Sequence, residues 1–590
     1  MTDILVSNPI TWLAAISLPI VVACALVVPR FRLLSEKIAP WTAVPSLFLS
    51  IMPQAVRSVE IPWLLLGSRL GLGETSRPFL FFTAILWLAS GIFALGYLAK
   101  DSRRHVFMFF FLLAMSGNLG LIVAQDVVSF YVCFALMSFA SYGLVVFNGS
   151  EEAIRAGRVY IVLVIIGELL LFSGLVVAVA ATGSVEWSEL GDRLAGTTMV
   201  NVAMVLLFFG LAVKAGALPL HVWLPLAHPA APVPASAVLS GAMIKAGLIG
   251  WLRLVPSDSG VMAPTWGELC LALGLAAAFY GVAVGLTQTN AKTVLAYSSI
   301  SQMGLMTIGV GLALSAPTMS HEAITATAIY AMHHAFAKGA LFLGVGVATA
   351  ACGIFWRRWF CGLGLLFPAL ALAGMPLTSG ALAKVMLKAT TDAAPGYWPE
   401  LLALLLPIAA IGTTLLMARF LWIAWPRRDT KPHGPMLAIW LSWLAVLVAV
   451  VIAAFLWSWG NESSITKSLL SPAKMLAALW PVIVGVVIAL TTAIISTAGY
   501  RLRVPVVPAG DILEFAVRLP NPLVLRCIGK ASTDRQRLSI PSALTETISK
   551  VIAGSMERSS RLEQGLRQSL VFGIVLLTLT GIILGLLTVY

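Results

Sequence analysis

The stretch HVWLPLAHPAAPVPASAVLSGAMIKAGLIGWLR, from His221 to Arg253, carries the strongest structural signal in the chain. Its first half is rich in proline, and its second half is apolar except for Lys245 and the terminal arginine. Proline breaks helices, and irregular backbone at membrane depth is tolerated only where it is buried in protein or lines a water-filled cavity. We therefore predict an irregular connection between two membrane spans, the second of which carries a buried ionisable group.

Hydrophobic residues make up 59% of the 590 residues, and charged residues only 11%. Apolar stretches of about 20 residues recur from end to end, and each is long enough to cross a bilayer core of roughly 30 Å. The composition therefore predicts an all-α polytopic membrane protein with about 16 transmembrane helices. The expected spans begin near Pro9, Trp41, Pro78, His105, Val127, Arg158, Val200, Val233, Met262, Val294, Glu322, Leu363, Leu401, Met436, Met475 and Ser569.

The net charge of +13 comes from basic residues that lie mostly in alternate loops. We expect the chain to lie in the inner membrane of a bacterial cell. Because Lys and Arg favour the cytoplasmic side, this pattern predicts that both termini are in the periplasm. It also argues against nucleic-acid binding, since the charges lie between spans. The six cysteines show no CxxC spacing, so we expect no cofactor, metal site or disulfide framework in this chain.

Four lysines lie inside apolar segments: Lys214, Lys245, Lys338 and Lys384. A lysine at the centre of a membrane helix costs about 3 kcal/mol even on the lenient insertion scale, and such residues usually mark ion pathways. Burial and neighbouring charges change the affinity of lysine for a proton, so a row of lysines can pass protons on. For Lys384 the alternative is an amine that reaches the membrane surface. Glu168, in the middle of a span, is the candidate carboxylate partner of Lys214, or else a hydrogen-bonded structural acid.

Histidines accompany the lysines. His334 lies four residues before Lys338, on the same face of a helix, and His333 lies beside it. His221 and His228 lie in the proline-rich connection. Because imidazole exchanges protons near neutral pH, these four histidines are candidates for a proton relay. A hydrogen-bonded core histidine is the alternative for each.

Two predicted helix breaks each lie close to a lysine. The first break is at Pro219, shortly after Lys214, and the second is at residues 373–376, shortly before Lys384. Interrupted helices in corresponding halves of a chain are typical of inverted-repeat transporters.

Residues 499–567 form the only long polar segment of the sequence. Prolines interrupt it as far as Pro541, after which Leu544, Ile548 and Val551 recur at helical spacing between charged residues. This pattern predicts an amphipathic helix along the membrane surface or along a partner, followed by an anchoring span. A solvated cytoplasmic helix is the alternative.

Four motifs of the chain resemble the antiporter-like subunits of respiratory complex I, a family that includes Mrp antiporters and membrane subunits of energy-converting hydrogenases. Besides the opening stretch, they are AKTVLAYSSISQMG (Ala291–Gly304), HHAFAKGALFLG (His333–Gly344) and AGMPLTSGALAK (Ala373–Lys384). The sequence is most similar to the branch of hydrogenase-4 component B and complex I subunit 5. The resemblance implies N-terminal helices (1–104), two inverted five-helix repeats with broken helices (105–255 and 256–425), additional helices (426–498), a lateral amphipathic segment (499–567) and an anchor (568–590).

The same resemblance implies a lysine and histidine axis across the middle of the membrane. Lys214 matches the lysine of the first broken helix, and Lys245 matches the lysine between the half-channels. His334 and Lys338 match the central connection, and Lys384 matches the exit.

The sequence departs from the family at two positions. Ala135 stands where the family has a membrane glutamate, and Leu226 stands where it has an aspartate. The family's glutamate is thought to pair with the lysine of the first broken helix. Glu168, on the next span, is therefore the candidate to replace it as the partner of Lys214.

These features predict a proton-translocating subunit, without a redox centre of its own, in a complex driven by electron transfer. The expected partners are other integral membrane subunits and a peripheral redox arm that carries Fe–S, Ni–Fe or flavin cofactors. The expected ion is the proton, with Na⁺ as the alternative. Other functions stay open: an Mrp-type cation/proton antiporter, a non-conducting scaffold, which Ala135 favours, and an ion-coupled bicarbonate or CO₂ module.

Overall fold

The computed structural model describes residues 8–52, 58–65, 67–256, 264–350, 355–426, 436–460, 476–497 and 507–512. Within these residues the chain is almost entirely helical, and a single two-stranded hairpin is the only sheet. The predicted amphipathic helix after Pro541 and the anchor at 568–590 lie outside the described residues.

The helices of the first half precede residue 254. They are α1 (Pro9–Val27), α2 (Arg32–Ile38), α3 (Val44–Ile51), α4 (Ser76–Tyr97), α5 (Arg104–Val123), α6 (Val127–Val145), α7 (Glu151–Thr182), α8 (Trp187–Ala195), α9 (Val200–Ala215), α10 (Trp223–Ala230), α11 (Val233–Val238) and α12 (Lys245–Arg253). A π-helical turn, Leu239–Met243, joins the last two into one membrane-length element.

The helices of the second half are also long and apolar. They are α13 (Pro264–Leu286), α14 (Ala291–Ser315), α15 (Ser320–Ala350), α16 (Phe355–Ala373), α17 (Ser379–Ala389), α18 (Trp398–Ala424), α19 (Met436–Gly460) and α20 (Leu479–Thr497).

Ten helical stretches of the described residues are long and apolar enough to cross a bilayer, so the predicted all-α polytopic membrane fold is confirmed. They are Pro9–Val27, Ser76–Tyr97, Arg104–Val123, Val127–Val145, Glu151–Thr182, Val233–Arg253, Thr265–Leu286, Ala291–Ser315, Trp398–Ala424 and Leu479–Ser496. The count of sixteen spans and the division into two inverted repeats stay predictions.

The second predicted span begins earlier than the sequence suggested. Helix α2, a 3₁₀ turn at Ala39–Ala43 and α3 follow one another without interruption. Pro40 and Pro45 lie at the starts of the 3₁₀ turn and of α3, where a missing backbone N–H costs little. The helical segment therefore starts near Arg32 rather than at Trp41.

A small hairpin and a surface helix, α8, were not predicted from the sequence. Strands β1 (Val59–Ile61) and β2 (Ser68–Leu70) pair in antiparallel orientation. Arg69 on β2 forms ion pairs with Glu60 and Glu186, and its backbone N–H donates to Asp126 at 2.9 Å. These polar contacts tie together the connections at one end of the membrane helices.

Both predicted helix breaks are present. Helix α9 ends at Gly216, which has a left-handed φ of 67°, and the Leu218–Pro219 peptide is cis before α10 begins. Helix α16 ends at Gly374, with φ of 95°, and Thr378 caps the N-terminus of α17 by accepting the N–H of Ala381. Glycine tolerates these left-handed conformations, which lets the chain turn between half-helices.

Helices α13 and α14 pack backbone to backbone along a glycine seam. A Cβ atom added to Gly274 would lie 2.6 Å from the carbonyl oxygen of Gly304, and one added to Gly304 would lie 2.5 Å from that of Gly274. Gly267 and Gly311 face each other in the same way about two helical turns away. Small residues allow this close approach, which replaces the missing hydrophobic driving force between helices in lipid.

We expect Gly304→Ala to destabilise the fold by about 1–3 kcal/mol, because a backbone carbonyl cannot rotate away from the added methyl group. The measurement is the midpoint of thermal unfolding in detergent. Gly73→Ala is the matched control, since nothing lies within 4 Å of a Cβ atom added there. Equal midpoints for the two variants would contradict the close packing of the seam.

Candidate functional site

Three of the four predicted lysines are buried in the membrane helices. Lys214, Lys245 and Lys338 are 2%, 1% and 0% exposed. Lys384 is half-buried. None of the four ammonium groups forms an ion pair within 4.0 Å of a carboxylate of the described residues, so neutral acceptors take up their N–H groups.

Lys214 lies in the last turn of α9, next to the first break. Its Nζ donates to the hydroxyl of Tyr160 at 3.0 Å, and that hydroxyl donates to the carbonyl of Ser138 at 2.8 Å. The lysine is therefore tied to α7 and, through the tyrosine, to α6.

Glu168 of α7 is the electrostatic neighbour of Lys214 but not its hydrogen-bond partner. The side chain is 5% exposed, and neither carboxylate oxygen has a hydrogen-bond partner among the described residues. Glu168 and Lys214 nevertheless interact electrostatically. The geometry agrees with the expected partnership, whose functional role stays a prediction.

Lys245 is in direct contact with His334 of α15. Its Nζ lies 2.7 Å from His334 Nδ1 and donates to the carbonyl of Ser240, in the π-helical turn, at 2.7 Å. An ammonium group has no acceptor, so with a charged lysine Nδ1 must accept and Nε2 must carry the imidazole proton. A proton can also move to Nδ1, which would leave a neutral amine. The pair can therefore hold one proton on either side.

Lys338 lies one turn after His334 on α15, as the sequence predicted. Its Nζ donates to the carbonyl of Leu295 on α14 at 2.8 Å. It forms no hydrogen bond with His334 in the described structure, because His334 is directed to Lys245, but the two groups interact electrostatically.

His333 connects the same helix to the second break. Its Nδ1 lies 2.8 Å from the hydroxyl of Ser379, the first residue of α17. Lys384 donates to the carbonyl of Ala373 at 2.7 Å, across the break between α16 and α17. The amine of Lys384 is therefore directed into the break rather than towards the membrane surface.

A cavity of about 380 Å³ adjoins Lys384. Apolar side chains from α17, α18 and the start of α20 form most of its wall, and Tyr330, Lys388 and Asp392 contribute polar groups. The last lysine of the series thus lines an open space between α17 and α18.

From the sequence, Lys292 is only a basic residue at the end of a predicted span, whereas the structure places it against the C-terminal end of α10. Its Nζ donates to the carbonyls of His228 at 3.1 Å and Ala231 at 2.5 Å. The His228 ring stacks on the Phe342 ring, with 4.7 Å between the ring centroids. Neither nitrogen of His228 has a hydrogen-bond partner among the described residues. The motif that begins at Ala291 contained this lysine, but its position at a helix start pointed to a loop.

His221 lies apart from the other histidines and contacts an acid from far along the chain. Its Nε2 lies 3.1 Å from Asp511 Oδ2, which also accepts the hydroxyl of Tyr297 at 2.8 Å. Burial raises the pKa of the Asp511 carboxyl, but the hydrogen bonds from His221 and Tyr297 outweigh it, and the pKa falls below its ordinary value. Sequence reasoning missed Asp511, which has no motif around it.

The structure thus brings most predicted residues together in one row. Electrostatic interactions link Lys245, His334, Lys338, His333 and Lys384. In the described part of the chain no hydrogen bond or ion pair joins the Lys214–Glu168 pair to this row. The described residues also contain no group of three His, Cys, Asp or Glu side chains that could hold a metal ion.

The family described as NADH:quinone oxidoreductase/Mrp antiporter, TM, matches residues 124–406. An uncharacterized protein of Mycobacterium tuberculosis is 33% identical over 372 residues, which cover 60% of this chain and 58% of that protein. Hydrogenase-4 component B of Escherichia coli is 30% identical over 275 residues, which cover 45% of this chain and 40% of that protein. The chain therefore spans little more than half of the first relative and less than half of the second.

Two solved structures have a similar fold. A chain of the Mrp complex from Dietzia sp. DQ12-45-1b aligns with a TM-score of 0.68 at 21% identity, over 94% of this chain and 63% of that chain. A chain of the membrane-bound sulfane sulfur reductase, an archaeal respiratory membrane complex, aligns with a TM-score of 0.65 at 23% identity, over 80% of this chain and 100% of that chain.

We expect Lys292→Ala to lower the free energy of unfolding by about 1–3 kcal/mol, because buried carbonyls at the C-terminal end of α10 lose their donor. Lys292→Arg keeps donors at this position and should lose less. The exposed Lys100→Ala variant controls for loss of a lysine as such. The check is the thermal unfolding midpoint in detergent, and an unchanged midpoint for Lys292→Ala would count against this role.

Proposed function

Since residues 124–406 match the family described as NADH:quinone oxidoreductase/Mrp antiporter, TM, we propose that the chain is a proton-translocating membrane subunit of a redox-driven complex. It lies in the inner membrane of a bacterial cell with both termini in the periplasm. Other integral membrane subunits and a peripheral arm with Fe–S, Ni–Fe or flavin centres surround it. The chain itself moves protons and carries out no redox step.

The contact between Lys245 and His334 carries this proposal. Two titratable nitrogens lie 2.7 Å apart, both side chains are at most 1% exposed, and no carboxylate of the described residues contacts either one. Both groups cannot be charged at this separation without a large electrostatic cost. They therefore hold at most one extra proton between them, and a change of charge nearby shifts that proton from one nitrogen to the other.

The remaining groups extend the pathway in both directions. On one side the Lys214–Glu168 pair lies at the first break, and on the other side His333 and Lys384 lie at the second break. The cavity beside Lys384 gives the pathway an outlet. Protonation of one group lowers the proton affinity of its neighbours, so protons are released along the row in sequence.

An Mrp-type cation/proton antiporter is the second candidate, because a chain of an Mrp complex shares the fold. That function needs an ion gradient instead of electron transfer. Sodium-driven proton release from proteoliposomes, without any electron donor, would favour it.

We expect Lys245→Ala to stop proton uptake by proteoliposomes that contain the native complex, while electron transfer continues. Removal of the amine leaves His334 without its proton-sharing partner. The measurement compares uptake, followed with a fluorescent pH indicator, with donor oxidation in the same sample. The Lys100→Ala variant, which changes an exposed lysine, should retain both proton uptake and electron transfer. Unchanged uptake in Lys245→Ala would favour the scaffold function instead.

A second prediction concerns the acid at the first break. If the charge of Glu168 sets the protonation state of Lys214, Glu168→Gln should reduce proton uptake about as severely as Lys214→Ala. The exposed Glu400→Gln variant is the matched control. Normal uptake in Glu168→Gln would show that Glu168 does not replace the glutamate expected at Ala135.

A further inference from the structure

We propose that the segment after α20 supplies a carboxylate, Asp511, which positions His221 as a proton acceptor beside the first broken helix. The inference rests on the proposed function and adds a group to the pathway from a part of the chain outside the family match. Asp511 is thus a positioning residue, and His221 is the group that takes up and releases the proton.

The carboxylate of Asp511 is held at a defined place. Its Oδ2 accepts hydrogen bonds from His221 Nε2 at 3.1 Å and from the Tyr297 hydroxyl at 2.8 Å. Asp511 is 1% exposed and His221 is 0% exposed. A buried carboxylate is stable only when it is paired and hydrogen-bonded, and both conditions are met here.

This contact determines the tautomer of His221. A carboxylate can only accept, so Nε2 carries the proton and Nδ1 keeps its lone pair. Nδ1 is buried and has no hydrogen-bond partner among the described residues. The lone pair is therefore directed into the protein interior, where it can accept a proton.

The segment that carries Asp511 docks through several contacts of its own. The side chain of Gln288 donates to the carbonyl of Val507 at 2.9 Å, and Arg419 donates to the carbonyl of Gln288 at 3.0 Å. Gly510, with φ of 91°, allows the turn that brings the next residue inward. The loop before α14 thus binds the segment and is itself held by Arg419 of α18, so the docking does not depend on His221 alone.

The docking site includes Leu226, where the family resemblance implies an aspartate. A Cβ atom added to Gly510 would lie 3.3 Å from the side chain of Leu226. Leu226 and Gly510 thus meet through apolar atoms, and the carboxylate of Asp511 follows one residue later. The chain brings an acid to this neighbourhood from its C-terminal part instead of from α10.

The proton transfer itself is balanced and needs no redox partner. A hydronium ion or protonated side chain loses a proton, an N–H bond forms at Nδ1 of His221, and the imidazole becomes a cation. The carboxylate of Asp511 stabilises that cation. Release of the Nδ1 proton to the next acceptor restores the neutral ring. Besides Asp511, the titratable groups that face His221 are Tyr280 of α13, at 5.1 Å between ring centroids, and Tyr297 of α14, through the shared carboxylate.

The test compares Asp511→Asn, Asp511→Glu, His221→Gln and the Asp511→Asn/His221→Gln double variant in the native complex, reconstituted in proteoliposomes. Three quantities are measured: the rate of proton uptake as a function of pH, electron transfer, and the thermal unfolding midpoint. Asp101→Asn, a carboxylate in the connection between α4 and α5, is the matched control.

We expect Asp511→Asn to reduce proton uptake on the order of tenfold, the lower end of the loss seen when a carboxylate that orients a metal-binding histidine is removed. Its pH profile should move to lower pH, because a histidine without a neighbouring negative charge binds a proton less tightly. Asp511→Glu should recover part of the rate. The double variant should be no slower than His221→Gln, since the two residues act as one unit.

Other outcomes would overturn the inference. Asp511→Asn with a normal rate and pH profile, or with a lowered unfolding midpoint alone, would make the contact purely structural. If the rate losses of the two single variants multiplied in the double variant, Asp511 and His221 would act independently. If Lys245→Ala stops uptake while Asp511→Asn does not, only this inference fails. If Lys245→Ala is also without effect, the proposed function itself is wrong.

Discussion

An ammonium group can remain inside a membrane protein only if its N–H groups find acceptors, and backbone carbonyls serve that purpose here. Lys245 donates to Ser240 in the π-helical turn, and Lys384 donates to Ala373 at the second break. Lys292 does the same at the C-terminal end of α10. Irregular helices leave carbonyls without their usual partner, and the lysines satisfy them. Helix breaks and buried lysines therefore stabilise each other, which explains why they occur together.

Carbonyl acceptors also leave the lysines free to change their charge. A carboxylate in direct contact would hold an ammonium group in its protonated form, whereas a carbonyl oxygen accepts from either an ammonium group or a neutral amine. Among the sequence-predicted lysines, only Lys214 has a buried acid nearby within the described part of the chain, and that acid, Glu168, does not bond to it directly. Histidines at 333 and 334 add groups that exchange protons without charge compensation from the described acids. Protonation of any member therefore affects the whole row.

Local chemistry made much of this arrangement predictable. The four motifs carry the resemblance to the family whose model matches residues 124–406, the two breaks follow from Pro219 and from residues 373–376, and the burial of Lys245 and Lys338 follows from their apolar neighbours. Lys292 was misjudged because its role depends on a carbonyl more than 60 residues away, at His228. Asp511 lies 290 positions from His221, and no local pattern reveals such a contact. The sequence thus predicts which helices break and which groups are buried, but not which distant residues complete the site.

The glycine seam between α13 and α14 has a mechanical consequence. Two helices whose backbones touch at Gly274 and Gly304 cannot rotate or slide past each other without a clash, so they move as one rigid body. Lys292 and Tyr297 are carried on that body and contact the end of α10 and Asp511, respectively. The glycine seam therefore provides a fixed reference for distance measurements. The distance between a spectroscopic label on α13 or α14 and a second label on the broken helix would change when the broken helix moves.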